Sequence, residues 1–202
     1  MKTHILIILL MISAFFTACM KDNELEKSVF IYDPDDIELP AYSEWGYNTF
    51  GAYYDRDIFV SNDQHVPAKI LVSDTLLTFL LDGQKGQSGY YYDYSEMIIS
   101  FTLQGTMPSH FADLAVFNDS VIDLTNPGCQ VFVTIDSVKY TADILEGELN
   151  FNRVQVLQVD KQLVVTILSG YFDFKTILND KPVTISDGRF DVGIGIDNFY
   201  RN

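Results

Sequence analysis

The residues best suited to bind a ligand are aromatic, and the candidates are Tyr90, Tyr91, Tyr92, Tyr94, Trp45 and Tyr47. Side chains alternate between the two faces of a strand, so Tyr90, Tyr92 and Tyr94 would share one face. Flat rings that also carry a hydroxyl group are suited to stacking against sugar rings. Tyrosine is also common in ordinary strands, where cross-strand aromatic pairs stabilise the sheet. The sheet interpretation is therefore favoured unless several rings are exposed beside Trp45 or Tyr47.

A second candidate is the acidic set Asp33, Asp35, Asp36 and Glu38. Calcium and similar cations need roughly six to eight oxygen ligands held by a turn of defined shape. No glycine shapes such a turn here, and the spacing does not match the calcium loop of EF-hand proteins. Prolines within the segment keep it extended. The sequence therefore favours an acidic tether over a metal site.

Cys129 is a third candidate because a thiolate is a strong nucleophile. A catalytic cysteine needs a nearby histidine and an electropositive setting. Neither His65 nor His110 lies in a recognisable motif, and His4 belongs to the amino-terminal leader. Cys129 follows the turn signal Asn-Pro-Gly and precedes an alternating apolar segment, so we expect a half-buried structural thiol at the start of a strand.

The amino terminus has the layout of a cleaved secretory signal, residues 1–18. Lys2 forms a basic end, residues 5–16 are apolar, and small residues precede Cys19. The apolar stretch is shorter than the roughly 20 residues that span a bilayer. Residues 16–19, Phe-Thr-Ala-Cys, resemble the lipobox of bacterial lipoproteins, although leucine is usual where Phe16 stands. The resemblance implies that Cys19 is acylated and becomes the first residue of a membrane-anchored mature chain; an ordinary secretory signal is the alternative.

Residues 20–24, Met-Lys-Asp-Asn-Glu, resemble the short lysine-plus-acid signal that follows the acylated cysteine in surface-exposed lipoproteins of the Bacteroidetes. This resemblance implies an outer-membrane lipoprotein that faces the cell exterior. The same residues would also serve as a solvated tether, so we assign residues 19–45 to the lipidated cysteine and an acidic tether.

Charge and length limit the classes of function. The chain has 202 residues and a formal charge of −15, and removing the leader with Lys2 gives −15 − 1 = −16. A protein this acidic is repelled by phosphate backbones, which argues against nucleic acid as a partner. Removal of 18 residues leaves 202 − 18 = 184, near the usual length of one domain. We therefore predict a single domain over residues 46–202.

Alternation of apolar and polar residues predicts a β domain. It is clearest at Met97 to Leu103, at Val131 to Ile135, and at Phe190 to Ile196, where Arg189, Asp191 and Asp197 would face outwards. Further predicted strands cover residues 50–54, 58–60, 69–73, 76–81, 153–159 and 163–175. Turn chemistry separates them at residues 82–83, 127–128, 160–161, 179–182 and 187–188.

The predicted fold is all-β, an antiparallel two-layer sandwich or a partly open barrel of about ten strands. Short turns favour antiparallel pairing because parallel pairs need long crossovers. One short helix is predicted near Phe111, with Ser109 as a possible cap.

Three segments near the ends of the domain carry a further resemblance: residues 48–55 with 58–60, residues 168–174, which contain Ser-Gly-Tyr-Phe-Asp-Phe, and residues 183–192, which contain Asp-Gly-Arg-Phe-Asp-Val. They resemble a family of uncharacterised Bacteroidetes lipoprotein domains. Residues 61–140 carry little of the likeness, and the glycine usual in the family's first hairpin turn is missing at residues 55–57. The resemblance implies an all-β lipoprotein and supplies no reaction.

Three hypotheses of function remain. The first is a non-catalytic module that binds a glycan or small ligand, and the second is a structural or assembly lipoprotein that pairs through an exposed strand edge. The third is a hydrolase whose carboxylates meet only in the folded protein. The sequence lacks a phosphate-binding glycine loop, a zinc-ligand cluster and a nucleophile elbow, so we expect no cofactor and no catalysis.

Overall fold

The computed structural model describes residues 28–61, 66–86, 94–105 and 107–201. Its strands are β1 (Thr49–Tyr54), β2 (Asp57–Ser61), β3 (Ala68–Val72), β4 (Leu76–Gly86), β5 (Ser95–Gln104), β6 (Ser120–Asp123), β7 (Cys129–Ile135), β8 (Val138–Val159), β9 (Gln162–Leu178), β10 (Lys181–Ile194) and β11 (Phe199–Arg201). A 3₁₀ helix, Phe111–Phe117, lies between β5 and β6. The predicted all-β fold with one short helix is confirmed.

All eleven strands belong to one sheet. Hydrogen-bonded strands follow one another in the order β4, β2, β1, β10, β9, β8, β7 and β5. Because β5 also pairs with β4, these strands form a closed ring. β3 pairs with β4, β11 pairs with β3, and β6 pairs with β8. The expected antiparallel pairing holds except for β11, which runs parallel to β3.

One apolar core lies on the inner face of the sheet. Phenylalanine rings dominate it: the centroids of Phe79, Phe151 and Phe190 are 5.3 to 5.8 Å apart. The inward positions predicted for residues 97–103 and 131–135 are confirmed, since Ile99 and Val133 are among the buried core side chains. The opposite face of β5 is covered as well, because Ser100 and Thr102 are each only 7% exposed. Aromatic pairs at this spacing stabilise a core by roughly 0.5–1.5 kcal/mol each beyond the area that they bury.

Three hairpin turns follow from local chemistry. Residues 160–161 join β8 to β9, and residues 179–180 join β9 to β10, both as predicted. Residues 136–137 join β7 to β8, a turn that the sequence analysis did not identify. All six residues have φ between 47° and 68°, the left-handed values that two-residue hairpins require.

Two predicted turns are wrong. Residues 82–83 lie inside β4, and residues 187–188 lie inside β10. In β10 the pairing with β9 shifts between Ile185 and Gly188, and Asp187 takes a φ of 53°, so the Asp-Gly pair forms a bulge. A Cβ on Gly188 would lie 2.1 Å from the carbonyl oxygen of Phe172, so the glycine is required by close approach of β9.

The end of β10 also departs from the predicted pattern. Ile196 was expected to point inwards, but β10 ends at Ile194 and Ile196 is 80% exposed. Asp191 was expected to face solvent, yet only 2% of its surface is exposed. The Asp191 side chain points to the outer face of the sheet as predicted, but another segment of the chain covers it there.

The predicted helix is present as 3₁₀ rather than α structure. His110, and not Ser109, is the N-cap: its Nδ1 accepts a hydrogen bond from the backbone N–H of Ala112. Asp113 accepts hydrogen bonds from the backbone N–H of His110 and from Ser109, which completes a capping box.

The covering segment is residues 28–48, which we call the strap. The acids and prolines predicted a tether up to residue 45, but residues 28–45 lie against the outer face of the sheet. Tyr32 and Pro40 form a β-bridge, and the N–H of Val29 donates to the carbonyl of Tyr47 at 2.8 Å. Leu39 is fully buried. In the structure the folded unit therefore includes the strap from residue 28.

Candidate functional site

The strap presents the one tryptophan of the sequence to solvent. Trp45 is 76% exposed, and its backbone N–H donates a hydrogen bond to Asp191 at 3.2 Å. The indole is the largest apolar side chain and combines a flat face with one polar N–H group. An exposed indole on a backbone fixed by hydrogen bonds is therefore available for contact with a ligand.

Other flat and polar side chains lie at the same part of the strap. Tyr42 stacks on Tyr171 of β9, with ring centroids 4.5 Å apart and an angle of 21° between the planes. The Tyr42 hydroxyl donates to Glu44 at 3.0 Å, and Arg153 of β8 donates to the other oxygen of Glu44 at 2.9 Å. We call Tyr42, Glu44, Trp45, Arg153 and Tyr171 the aromatic patch.

Tyr42 and Glu44 each keep one protonation state near neutral pH. Burial raises the pKa of Tyr42, and its hydrogen bond to Glu44 raises it further, so the phenol stays a donor. The hydrogen bond from Arg153, followed by that from Tyr42, holds the pKa of Glu44 below its usual value. Glu44 therefore stays an ionised acceptor between two donors, which keeps the polar part of the patch in one geometry.

Acids of the strap contact the sheet rather than solvent alone. Arg189 of β10 forms an ion pair with Asp33 at 2.5 Å and lies 3.8 Å from Asp36. The Tyr53 hydroxyl of β1 donates to Asp36 at 2.8 Å and to Glu38 at 3.4 Å. Among the described residues, no group of three or more histidine, cysteine or acidic side chains could hold a metal ion. These acids attach the strap to β1 and β10.

The described members of the predicted aromatic set lie near the two ends of β1. Tyr90, Tyr91 and Tyr92 lie outside the described residues. The Tyr94 ring packs on Gly86 of β4. Gly86 pairs with β2, and β2 in turn pairs with the end of β1 near Tyr53. Trp45 and Tyr47 instead contact Asp191, which pairs with Thr49 at the start of β1. The start and end of β1 are about 13 Å apart, so Tyr94 and Trp45 are attached near opposite ends of this strand.

Sequence reasoning missed Tyr42, Glu44, Arg153 and Tyr171. The available signal was the spacing Tyr42-x-Glu44-Trp45, but it lay in a segment assigned to the tether. For Tyr171, the sequence predicts only a position in an alternating strand. Its outward orientation follows from the burial of Phe172 in the core.

Clefts among the described residues also lie away from the patch. A polar cleft of about 380 Å³ is lined by Lys69, Asp82, Gly83, Gln84, Glu96, Ile98, Thr134 and Ser137. A cleft of about 410 Å³ with a more apolar lining contains Leu103, Phe117, Val121, Ile122 and Cys129 together with Gln104, Asp123, Asn126 and Gly128. The first lies near Tyr94, since Glu96 is two residues further along β5.

Cys129 is a half-buried thiol at the start of β7, as predicted. Burial raises the pKa of this thiol to about 11, and the charge of Asp123 contributes to the same direction. His110 is occupied as a helix cap, and His65 lies outside the described residues. The thiol therefore remains protonated at neutral pH, which is the opposite of what a nucleophile needs.

Two acidic locations in the described part of the chain, the polar cleft and Asp173, lie on different parts of the sheet. Asp82 and Glu96 line the polar cleft, and Asp82 forms an ion pair with Lys69 at 3.5 Å. Burial raises the pKa of Asp173, and Glu148 on the paired strand β8 raises it further. Asp173 belongs to β9, however, on a different part of the ring from that cleft. Asp173 and the polar cleft therefore do not combine into one site.

The predicted acylation site, Cys19, and the leader before it lie outside the described residues. Within residues 28–61, 66–86, 94–105 and 107–201, no helix is long and apolar enough to cross a membrane.

The resemblance to Bacteroidetes lipoprotein domains stays a prediction. Protein-family models, curated proteins and solved structures contain no match to this chain.

Proposed function

We propose that the protein is an outer-membrane lipoprotein, anchored through acylated Cys19 and facing the cell exterior, that binds a glycan without catalysis. The observation that carries this proposal is the exposed indole of Trp45 on the same strap segment as Tyr42, whose ring stacks on Tyr171. Sugar rings have one apolar C–H face that packs on flat aromatic surfaces. The patch offers such a surface on the outside of a rigid sheet.

The energy available at Trp45 is sufficient for weak carbohydrate binding. Covering about 60–100 Å² of indole surface with a sugar ring stabilises the complex by roughly 1.5–2.5 kcal/mol at 25 cal/mol per Å². Glu44 and Arg153 supply a carboxylate and a guanidinium next to the rings, and these groups form directional hydrogen bonds with hydroxyl groups. Several sugar residues contacting the patch would give useful affinity for a surface-anchored protein.

The ligand expected at the patch is a neutral glycan. The predicted mature charge of −16 repels anionic polymers, including nucleic acids. Arg153 is already paired with Glu44, so the patch has little net charge with which to attract an acidic sugar. Hydroxyl groups can bond to both partners of this pair without separating them.

A glycan-array screen of the mature protein in detergent tests the proposal. We expect binding to one or more neutral glycans, lost in Trp45→Ala and weakened in Tyr171→Ala. Tyr200→Ala is the matched control because Tyr200 is exposed at β11, where its hydroxyl donates to the carbonyl of Asp197. The absence of any glycan binding would exclude the proposal.

A companion variant in which Tyr90, Tyr92 and Tyr94 are changed to alanine locates the site. If only this variant lost binding, the ligand would bind at the Tyr94 end of the sheet and not at the aromatic patch.

A second candidate function is an assembly lipoprotein that contacts a partner through a strand edge. Two exposed apolar side chains favour it, Ile196 shortly before β11 and Tyr200 within β11. In the described part of the chain, however, β11 has three residues and β6 has four, so the edges that they offer are short. Copurification of a stoichiometric partner with the native protein, lost in Ile196→Asp, would support this candidate.

A further inference from the structure

Asp191 lies on the outer face of β10 and is 2% exposed. Its carboxylate accepts hydrogen bonds from the hydroxyl groups of Ser43 and Ser169 and from the backbone N–H groups of Trp45, Gly46 and Tyr47. We call this arrangement the Asp191 cage. The N–H distances are 3.2, 2.8 and 3.0 Å, and the Ser169 distance is 3.0 Å.

The backbone of the strap is shaped to surround an anion. Three consecutive N–H groups converge on one carboxylate, and Gly46 takes a φ of 75°, a conformation that L side chains rarely adopt. Successive N–H groups that turn inwards in this way form an anion-binding concavity. Here the anion is a side chain of the protein itself, more than 140 residues away in sequence.

The cage acts directly on the residue that carries the proposed function. Trp45 contributes one of the N–H groups while its indole points to solvent. Hydrogen bonds to an ionised acceptor are about twice as strong as neutral ones. Without the carboxylate, the loop would lose the acceptor shared by Trp45, Gly46 and Tyr47, and the indole would sample other orientations.

We infer that Asp191 is a positioning residue, which holds residues 43–47 in one conformation and thereby presents Trp45 for ligand binding. The role in ligand binding rests on the proposed function, whereas the ordering of residues 43–47 does not. A preorganised aromatic residue pays no ordering entropy when it meets its ligand, so affinity depends on a residue that never touches the ligand.

Asp191→Asn is the test, with Asp187→Asn as the matched control. Asparagine keeps the size of the side chain but replaces one acceptor oxygen by an NH₂ group that faces other donors. Asp187 lies on the same strand and is exposed, outside the cage. Hydrogen–deuterium exchange of the full mature protein in detergent would be followed in peptides covering residues 43–48 and, for comparison, β9.

In Asp191→Asn we expect the amides of residues 45–47 to exchange at least tenfold faster, with β9 unchanged. Time-resolved fluorescence anisotropy of Trp45 should show a larger fast component. Asp187→Asn should match the wild type in both measurements. Unchanged exchange at residues 45–47, or an equal increase over all strands, would overturn the inference.

If Asp191→Asn fails to fold, Ser43→Ala and Ser169→Ala decide the question, because each removes one donor and leaves the carboxylate in place. Each should raise exchange at residues 45–47 several-fold while β9 stays protected, and no increase in either variant would overturn the inference.

Measurements of glycan binding separate this inference from the proposed function. For a glycan found on the array, Asp191→Asn should weaken binding at least tenfold. Faster exchange at residues 45–47 with no glycan bound by the wild type would uphold the cage and exclude the proposed function. Glycan binding that survives Asp191→Asn, with unchanged exchange, would exclude the cage and uphold the proposed function.

Discussion

Replacement of Leu39 by alanine tests whether the strap is part of the folded domain. Leu39 of the strap has no exposed surface and packs on β1. A Cβ built on Gly51 of β1 would lie 3.2 Å from the Cδ2 atom of Leu39. A solvated tether would lose nothing on this substitution. A packed strap loses the transfer energy of the removed methyl and methylene groups and gains a cavity.

The expected loss is about 2–3 kcal/mol. Buried leucine-to-alanine changes cost roughly 2–5 kcal/mol, and the lower part of that range applies because Leu39 lies outside the main core, where a strap can relax into the space. For a protein of this size, 2–3 kcal/mol lowers the Tm by about 5–10 °C. With a urea m value of about 2 kcal/mol per M, the midpoint moves by about 1–1.5 M.

Urea unfolding followed by circular dichroism measures this difference. Ile37→Ala is the matched control because Ile37 lies on the same strap and is 74% exposed, so its removal should change the free energy of unfolding by no more than about 0.5 kcal/mol. Equal midpoints for Leu39→Ala, Ile37→Ala and the wild type would refute the packed strap.

Three further predictions concern titration and anchoring. Hydrogen bonding from the backbone N–H of Asp35, together with Arg189, holds the pKa of Asp33 below its usual value, so its contribution to stability is present above about pH 4 and is lost as pH falls through the lowered pKa. The protection factors of the strap amides, which correct for the intrinsic pH dependence of exchange, should therefore fall below about pH 4, and Asp33→Asn should abolish that transition. Since the pKa of Cys129 is raised to about 11, its alkylation at pH 8 should be on the order of 10²-fold slower than that of an exposed cysteine and should accelerate up to pH 11; fast alkylation at pH 8 would contradict the burial described. Cys19→Ser should release the protein from the membrane fraction, and mass spectrometry of the native protein should find acyl chains on Cys19; a bare sulfur would contradict the anchor.

The sequence predicted strands well where alternation is uninterrupted. β5 and β7 have regular pairing with each other over seven residue pairs, and their inward side chains are those that the pattern indicated. β8 was recognised only from residue 153 onwards. Its pairing with β9 shifts between residues 144 and 146 and between residues 151 and 153, and each bulge changes which side chains point inwards. Apolar residues at every second position therefore do not identify such a strand as one element.

The candidate site was harder to predict because its contacts are not local. Arg189 pairs with Asp33 across 156 residues of sequence, and Asp191 binds the loop of Trp45 across 146. Locally, the acids and prolines of the strap are typical of a tether, and Asp187 with Gly188 is typical of a hairpin turn. The same residue types also suit an ion pair and a bulge, and only the partner strand decides between these outcomes.

Carbohydrate binding at the aromatic patch is tested most directly by the intrinsic fluorescence of the mature protein. Trp45 is the one tryptophan of the sequence, so its emission reports on the patch alone. Titration with a neutral glycan should shift the emission to shorter wavelength in a saturable way, because the ligand covers an indole that is 76% exposed. A glycan that binds with no change in the emission of Trp45 would contradict the proposed site.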